Sequence, residues 1–381
     1  MSAAAPPPLD GLLVVDCTRL VPGAVLARTL LDLGARLIKI EAPRGGDLMR
    51  TAPPLVGGVG VGYCVYFRGA ESLRLDLRDP LGMARLTKLL QRADVFMESF
   101  RPGTLARWGL DLDAVEASNP GLVSCTLPAI ADDDKRVAHD LNLTGLTGFL
   151  GQLPGNLLTH GSGADIPRML IADVTTGLLA GSSILAALVG RGATGRGRRV
   201  SQSLLSAPLP FLTWPWADQA AGVGSMGGMF ENVLAGRVAC YRCYRCADGK
   251  LISVGCLEPK FWVSLCQLLE QPELAAAGLD LGARGQAAAD ATAERFATKP
   301  VDAWMALLAP ANLPVAPVHD LDAARSEALI ASAGLLEHTP MPGGGQLSVP
   351  GPALPSVSKT PSRPAPSLGE HDQAIIAEFG L

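Results

Sequence analysis

The sequence carries little charge and has no basic cluster. Charged residues make up 18% of its 381 residues, and the formal net charge is −4. Binding of nucleic acid phosphates needs lysines and arginines gathered on one surface. We therefore expect no nucleic acid partner, and any anionic ligand must be held by a few local groups.

Targeting and membrane-spanning signals are also missing. Residues 1–8 lack the basic region and apolar core of a signal peptide, and they lack the arginines of a transit peptide. The longest apolar stretch, residues 169–189, is interrupted by Asp173, two threonines and two serines, which hydrocarbon would penalise. The sequence therefore predicts a cytoplasmic protein with no membrane partner, in which residues 169–189 form a buried helix.

The eight cysteines lack the setting of a disulfide framework, because no secretory signal accompanies them. Cys240, Cys243 and Cys246 follow a C-x-x-C-x-x-C spacing, but the fourth ligand of an iron–sulfur or zinc site is missing from the expected position. The tetrapeptide ADGK at 247–250 predicts a hairpin turn, which places these cysteines on a strand. We expect reduced thiols and no metal.

The phosphate-binding motif of dinucleotide folds is absent as well, since residues 16–23 read DCTRLVPG where G-x-G-x-x-G would stand. The order of apolar runs nevertheless predicts an α/β fold. A run at 12–16, a helical pattern at 23–33 and a second run at 36–40 give a β-α-β opening. Further runs alternate with helical patterns such as 80–91, which predicts a parallel sheet with helices on both faces; they lie at 73–77, 95–97 and 122–127.

The length predicts two compact units, because it exceeds what one small core supports. We expect a large domain over residues 1–200 and a linker over 201–230, where glycines concentrate at 222–228. A smaller domain is expected over 231–317, and residues 318–381 are expected to return to the large domain. A final short helix is predicted at 372–379.

Seven short segments along the chain form a recognisable series. They are LGARLIKIEAP at 33–43, LDLR at 75–78, ESFRPG at 98–103, AHDLN at 138–142, IAD at 171–173, LEPKFW at 257–262 and PSLGEH at 366–371. In this order they resemble the superfamily of α-methylacyl-CoA racemases and family III CoA-transferases. The resemblance implies the family III fold, with a Rossmann-like parallel-sheet large domain, a smaller α+β domain and an interlocked homodimer whose active sites lie between subunits.

The resemblance also implies an acyl-CoA substrate, and the pair His139–Asp140 favours the racemase branch because transferases usually have tyrosine before the acid. Racemisation next to a thioester needs two groups that flank one carbon. His139 and Asp173 match the racemase pair, and Glu258 matches the carboxylate that orients the histidine. The expected activity interconverts (R)- and (S)-2-methylacyl-CoA through an enolate, in fatty acid metabolism, without a tightly bound cofactor beyond the CoA of the substrate.

Two other functions remain open at this point. In a family III transferase, the residue matching Asp140 would be the nucleophile that forms an acyl anhydride and then a CoA thioester. A divergent protein that binds acyl-CoA without turnover is the third hypothesis. Each residue also has a structural interpretation when taken alone: Asp173 and Asp140 as helix N-caps, His139 as a satisfied imidazole and Glu258 as a turn residue.

The positions matching the family's CoA contacts form three groups. They are Leu75, Asp76, Leu77 and Arg78; Ser99, Phe100, Arg101 and Arg107; and Ala138, Leu141, Asn142 and Leu143. Arginine suits phosphate recognition because its planar fork donates two parallel hydrogen bonds. Basic residues usual in the family are missing at Ala42 and at residues 70–71, and Arg44, Arg68 or Arg74 would have to substitute.

Overall fold

The computed structural model describes residues 6–130, 136–153, 166–222, 228–229, 232–358 and 363–381. Two compact units divide the chain. The first joins residues 1–210 to residues 331–381, and the second spans residues 211–330.

The first unit alternates strands and helices along most of its length. Its strands are β1 (Leu13–Cys17), β2 (Arg36–Glu41), β3 (Leu55–Val56), β4 (Val59–Gly60), β5 (Glu71–Arg74), β6 (Val95–Glu98), β7 (Val123–Thr126) and β8 (Arg199–Ser201). Its helices are α1 (Leu20–Asp32), α2 (Val61–Tyr66), α3 (Pro80–Leu90), α4 (Thr104–Arg107), α5 (Leu112–Ser118), α6 (Asp140–Leu146) and α7 (Ile171–Thr194), and α8 (Leu209–Ala220) leads into the second unit.

Six of these strands form one parallel sheet in the order β5-β2-β1-β6-β7-β8. Neighbouring residues of β1 enter different cores, Val14 on one face and Leu13 and Val15 on the other, because successive side chains of a strand alternate. Helices α1, α2 and α7 cover the first face, and α3 and α5 contribute to the second. The predicted α/β fold with a parallel sheet is confirmed.

Helix α7 contains most of the apolar stretch 169–189 and continues to Thr194, and among the described helices it alone is long and apolar enough to span a bilayer. It packs along α1 at very short range. A Cβ atom added at Gly177 would lie 2.6 Å from Val25 Cβ and 2.7 Å from the Pro22 carbonyl oxygen. Glycine at 177 therefore permits the contact that buries one face of α7.

The C-terminal part of the first unit packs against both sides of its sheet. Strands β12 (Leu336–Pro340) and β13 (Gln346–Pro350) form a hairpin, and the chain ends in a helix, Asp372–Phe379. Half-buried Glu337 forms ion pairs with Arg28 (2.6 Å) and Arg68 (2.7 Å). Phe379 belongs to the second core, so the predicted final helix covers the sheet from that face.

The second unit has a three-stranded antiparallel sheet in the order β11-β10-β9. Its strands are β9 (Tyr241–Arg245), β10 (Leu251–Gly255) and β11 (Val315–Val318). Its helices are α9 (Pro259–Leu268), α10 (Ala283–Phe296), α11 (Val301–Leu308), α12 (Leu321–Arg325) and α13 (Ala328–Ser332). The terminal helix of the first unit, Asp372–Phe379, is α14. Its core gathers Tyr244, Trp262, Phe296 and Trp304.

The cysteine run of the sequence falls on and beside β9. Cys243 is exposed, whereas Cys240 and Cys246 are buried, and all three are free thiols. Burial raises the pKa of Cys240 to about 11, which keeps that thiol protonated. Within the described ranges, no group of three or more histidine, cysteine or acidic side chains is arranged to hold a metal ion.

Candidate active site

His139 and Asp140 begin helix α6. His139 occupies the N-cap position with extended backbone angles, φ −119° and ψ 172°. Its backbone N–H donates to Asn142 Oδ1 at 3.0 Å, and the Asn142 N–H donates back to the His139 carbonyl at 2.9 Å. This reciprocal pair fixes the backbone of His139 and leaves its imidazole exposed.

Asp140 connects the starts of α6 and α7. Its Oδ1 accepts the backbone N–H of Asp173 at 3.0 Å, across 33 positions of sequence. The Asp140 side chain is buried, with 9% of the residue exposed. Asp140 therefore satisfies one of the free amides at the N-terminus of α7. It is the first residue of α6, after the N-cap His139, so the interpretation of Asp140 as the N-cap of its own helix is wrong.

Asp173 is the third residue of α7, and Leu170 occupies the N-cap position of that helix. The interpretation of Asp173 as the N-cap is therefore wrong. Its amide is bound by Asp140, and no hydrogen bond to its carboxylate occurs among the residues that the structure describes. The Asp173 carboxylate is half-buried and remains available for chemistry.

Burial and two neighbouring charges determine the pKa of the Asp173 carboxylate. Burial, followed by the negative charge of Asp140, raises the pKa of Asp173 to about 6, and the positive charge of His139 opposes this rise. The two acids and the imidazole thus share one electrostatic environment. A carboxylate whose pKa lies near neutrality beside an exposed imidazole is suited to proton transfer in both directions.

A small apolar core holds α6 against α7. Leu143 and Ala172 are fully buried there together with Ile130 and Leu204, and Ala138 packs against them. Leu141 and Asn142 point outwards and are exposed. Leu143 is one of the CoA contacts predicted in this segment. Its side chain lies in the protein interior, so only its backbone can reach a ligand.

Glu258 lies in the second compact unit, before Pro259 at the start of α9. Its side chain is exposed. Its pairing with His139 stays a prediction.

The other predicted CoA contacts follow β5 and β6. Leu75 and Leu77 are buried in the core. Asp76 Oδ1 accepts the Arg78 backbone N–H at 3.0 Å, and the Arg78 side chain is exposed. Ser99 and Phe100 are half-buried after β6. Arg101 and Arg107 are exposed, and Arg107 Nη2 donates to Thr104 Oγ1 at 2.9 Å. Both groups lie beyond the carboxyl ends of their strands, the edge at which open α/β sheets bind ligands.

The three arginines suggested to replace the missing basic residues differ in whether their side chains are free to contact a phosphate. Arg68 is 0% exposed and is ion-paired with Asp32 and Glu337, so its suggested role as a phosphate contact is wrong. Arg74 forms an ion pair of 2.6 Å with Asp372. Arg44 is exposed.

A cavity of about 480 Å³ opens beside the same edge. It lies between the helices α4 and α5 and the ends of β6 and β7, and Arg101, Thr104, Ser124 and Arg199 line it among others. Arg199 is already paired with Asp113 and Glu116. Sequence reasoning missed a further basic residue at this edge, Arg19, which follows β1 where a dinucleotide fold would carry its glycine motif.

Comparison with known proteins gives concordant matches. The family model described as CoA-transferase family III matches residues 9–372. Succinyl-CoA:glutarate CoA-transferase of Homo sapiens is 27% identical over 97% of this chain and 86% of its own length. Alpha-methylacyl-CoA racemase of Homo sapiens is 28% identical over 98% of this chain and 94% of its own length. The crystal structure of a CAIB/BAIF family protein from Brucella suis superposes with a TM-score of 0.81, at 28% identity, over 98% of this chain and all of the other.

Proposed function

Because the chain belongs to CoA-transferase family III, we propose that it acts on an acyl-CoA thioester, and specifically that it interconverts (R)- and (S)-2-methylacyl-CoA. The observation that supports this proposal is the hydrogen bond from the Asp173 N–H to Asp140 Oδ1, which joins the starts of α6 and α7 and brings Asp173 near the segment that carries His139. The Asp173 carboxylate is not used for capping, and its pKa of about 6 suits a base that also serves as an acid near neutral pH.

The reaction proceeds by 1,1-proton transfer. The Asp173 carboxylate removes the proton from one face of the carbon next to the thioester, and the C–H electron pair moves onto the carbonyl oxygen as an enolate. Protonated His139 returns a proton to the opposite face, and the enolate reverts to a thioester of inverted configuration. In the reverse direction the two residues exchange roles.

The enolate oxygen needs hydrogen-bond donors that are already oriented. The backbone N–H groups of Asp140 and Leu141 are candidates, because the first amides of a helix have no carbonyl partner in a preceding turn. We also propose that Glu258 is the carboxylate that orients the imidazole of His139. CoA enters as part of the substrate, and the proposed chemistry needs no tightly bound cofactor.

We further propose a homodimer located in the cytoplasm. Exposed apolar side chains surround the catalytic helices, including Val137 (68% exposed), Leu141, Leu146, Met169 (67%) and Leu170. Such a patch is typical of a surface that a partner or an apolar acyl chain covers. Light scattering in solution tests the assembly, with the mass of two chains as the expected result and that of one chain as the contrary result.

A CoA-transferase is the second candidate, because the transferase relative is similar over nearly the same length as the racemase. In such a reaction a carboxylate attacks the thioester carbonyl, the CoA thiolate leaves, and an acyl anhydride forms on the enzyme. Asp140 was the predicted nucleophile, but it is buried and its Oδ1 binds α7. Asp173 is more exposed and its carboxylate has no hydrogen-bond partner within the described part of the chain, so it is the better candidate for this step.

The decisive experiment measures deuterium incorporation from D₂O into a panel of 2-methylacyl-CoA esters, in parallel with trapping of acyl-enzyme adducts by mass spectrometry. Proton exchange without an adduct, lost in His139→Ala and Asp173→Asn, is expected. Transfer of CoA to a free carboxylate, with an adduct on Asp173 or Asp140, would favour the transferase. Binding without either reaction would favour the acyl-CoA-binding hypothesis.

A further inference from the structure

The segment of residues 366–372, which leads into α14, lies along the outer edge of strand β5, and we call it the C-terminal clamp. β5 is an edge strand of the six-stranded sheet, so its outward N–H and carbonyl groups have no neighbouring strand. The His371 N–H donates to the Ser72 carbonyl at 3.1 Å, and the Ser72 N–H donates to His371 Nδ1 at 3.2 Å. The Arg74 N–H donates to Asp372 Oδ1 at 2.8 Å. The clamp thus satisfies two successive outward-facing residues of β5.

The clamp also binds the side chains of these two residues. Arg74 Nε donates to Asp372 Oδ2 at 2.6 Å, so one carboxylate holds both the backbone and the guanidinium of Arg74. The Gly369 N–H donates to Ser72 Oγ at 2.9 Å, and the Ser72 hydroxyl donates in turn to buried Glu41 at 2.7 Å. Gly369 has a φ of +71°, and a Cβ atom at this position would collide with Arg74 Nε. Glycine therefore permits the close approach of the clamp to β5.

Strand β5 leads directly into the loop of residues 75–78, which matches CoA contacts of the family. The side chains of Leu75 and Leu77 lie in the second core together with Ile375 and Phe379 of α14. The C-terminal part of the chain therefore contacts this region twice, through the clamp at the edge of β5 and through α14 beneath the loop. The position of the loop depends on a segment that is distant in sequence, since the Arg74–Asp372 hydrogen bond spans 298 positions.

The Arg74–Asp372 pair has little to contribute to folding stability. The Arg74 side chain is 47% exposed and that of Asp372 is 18% exposed, and ion pairs at the surface stabilise a fold only weakly. Arg74 is one of the arginines suggested to replace the family's missing basic residues. Because the Asp372 carboxylate occupies its guanidinium, Arg74 is held along the edge of β5 immediately before the loop.

The proposed proton transfer uses other elements of the first unit. His139 precedes α6 and Asp173 lies in α7, and neither element is part of β5 or its loop. A change in the position of the loop should therefore weaken binding of the substrate and leave the chemical step intact. Such a change raises KM and leaves kcat unaltered, whereas damage to the acid–base pair lowers kcat.

We propose that Asp372 is a positioning residue for substrate binding, which acts through Arg74 to hold residues 75–78 in the place where they contact the CoA part of the thioester. This inference rests on the proposed use of acyl-CoA thioesters. It assigns the C-terminal clamp a role in binding, beyond covering the edge of the sheet. The contrary interpretation is that Arg74 binds phosphate itself and that Asp372 only competes for its guanidinium.

The test compares Asp372→Ala with wild type in the full-length protein, by kcat and KM for α-proton exchange and by calorimetric titration with free CoA. We expect KM and the Kd for CoA to rise about fivefold, while kcat stays within about twofold. Asp372→Asn, which keeps an oxygen for the Arg74 N–H, should have a smaller effect. Glu378→Gln is the matched control, because it breaks another C-terminal ion pair, with Arg36 at the amino end of β2.

A double variant separates the two interpretations of Arg74. If Asp372 acts through Arg74, the KM of Arg74→Gln combined with Asp372→Ala should equal that of either single variant. Additive losses, or tighter CoA binding in Asp372→Ala, would show that Arg74 contacts phosphate itself and would overturn the inference. A KM that rises no more in Asp372→Ala than in Glu378→Gln would also overturn it, because the clamp would then be structural only.

Hydrogen exchange followed by mass spectrometry tests the positioning of the loop without a ligand. Amides of residues 75–78 should exchange faster in Asp372→Ala than in Glu378→Gln, and equal exchange would contradict the inference. Thermal unfolding checks that each variant is folded. A wild-type protein that binds no CoA at all would instead contradict the proposed function.

Discussion

Replacing Asp140 with asparagine changes one charge beside Asp173 and little else. Asparagine keeps the Oδ1 atom that accepts the Asp173 N–H at 3.0 Å, and it is as good a helix cap as aspartate. The negative charge that helps to raise the pKa of Asp173 to about 6 disappears, while burial, the larger cause, remains. The pKa of Asp173 should therefore fall in the variant, by about one pH unit for a charge at this range.

The assay is the pH dependence of kcat/KM for α-proton exchange, which reports ionisations of the free enzyme. Wild-type activity should rise through about pH 6 as Asp173 becomes a carboxylate, and in Asp140→Asn the rise should occur about one pH unit lower. The same shift affects stability. Because the folded-state pKa of Asp173 lies above its unfolded value, the stability contributed by this group is greatest at low pH and declines as pH rises towards 6.

An acid limb that does not move in Asp140→Asn would refute the electrostatic coupling of the two acids. Complete loss of exchange in this variant, with the fold intact, would show that Asp140 itself takes part in the chemistry. Asp140→Ala serves as a comparison, since it removes the cap of α7 together with the charge and should also lower stability, by about 1 kcal/mol.

Three further predictions concern stability and are checked by shifts of the urea unfolding midpoint. Gly177→Ala should destabilise the protein by about 1–3 kcal/mol, because the added methyl group collides with α1. Gly192→Ala in the same helix should stabilise it by up to about 1 kcal/mol, because the added carbon meets no neighbouring atom within 4 Å. Equal effects of the two variants would contradict the close packing of α7 on α1. Arg50→Met should lower the free energy of unfolding by about 3–5 kcal/mol, because Glu41 is left buried without its partner. Arg199→Gln should lower it by less than about 1 kcal/mol, because the ion pairs of Arg199 lie on the surface. Phe379→Ala should cost about 3–5 kcal/mol if α14 is part of the core, and a negligible change would show that it is not.

The sequence allowed the sheet and its flanking helices to be predicted because apolar periodicity is local. The predicted final helix at 372–379 matches α14, and the predicted helix at 80–91 ends one residue beyond α3. The strand expected at 73–77 was displaced: β5 covers Glu71–Arg74, although Leu75 and Leu77 continue the pattern of buried side chains beyond the paired segment. Apolar periodicity indicates which side chains are buried, and here the buried side chains continue beyond the residues that pair with the neighbouring strand.

The site was less accessible to sequence reasoning because its contacts join distant segments. Nothing local indicates that Asp140 caps α7, since the bond spans 33 positions. Arg68, a suggested substitute for the missing basic residues, is held in the interior by Asp32 and Glu337, which are distant from it in the sequence. Arg19 was overlooked because its partner Phe100 follows a different strand. The domain boundaries, the dimer and the role of Glu258 stay predictions.

The central claim is that His139 and Asp173 move one proton between the two faces of a thioester α-carbon. The most direct measurement follows (R)-2-methylacyl-CoA in D₂O by NMR and chiral analysis, with wild-type protein, Asp173→Asn and His139→Ala. We predict deuterium at the α-carbon together with inversion for the wild type, and loss of inversion in both variants. A wild type that leaves the α-proton untouched, or an Asp173→Asn variant that racemises as fast as the wild type, would contradict the account.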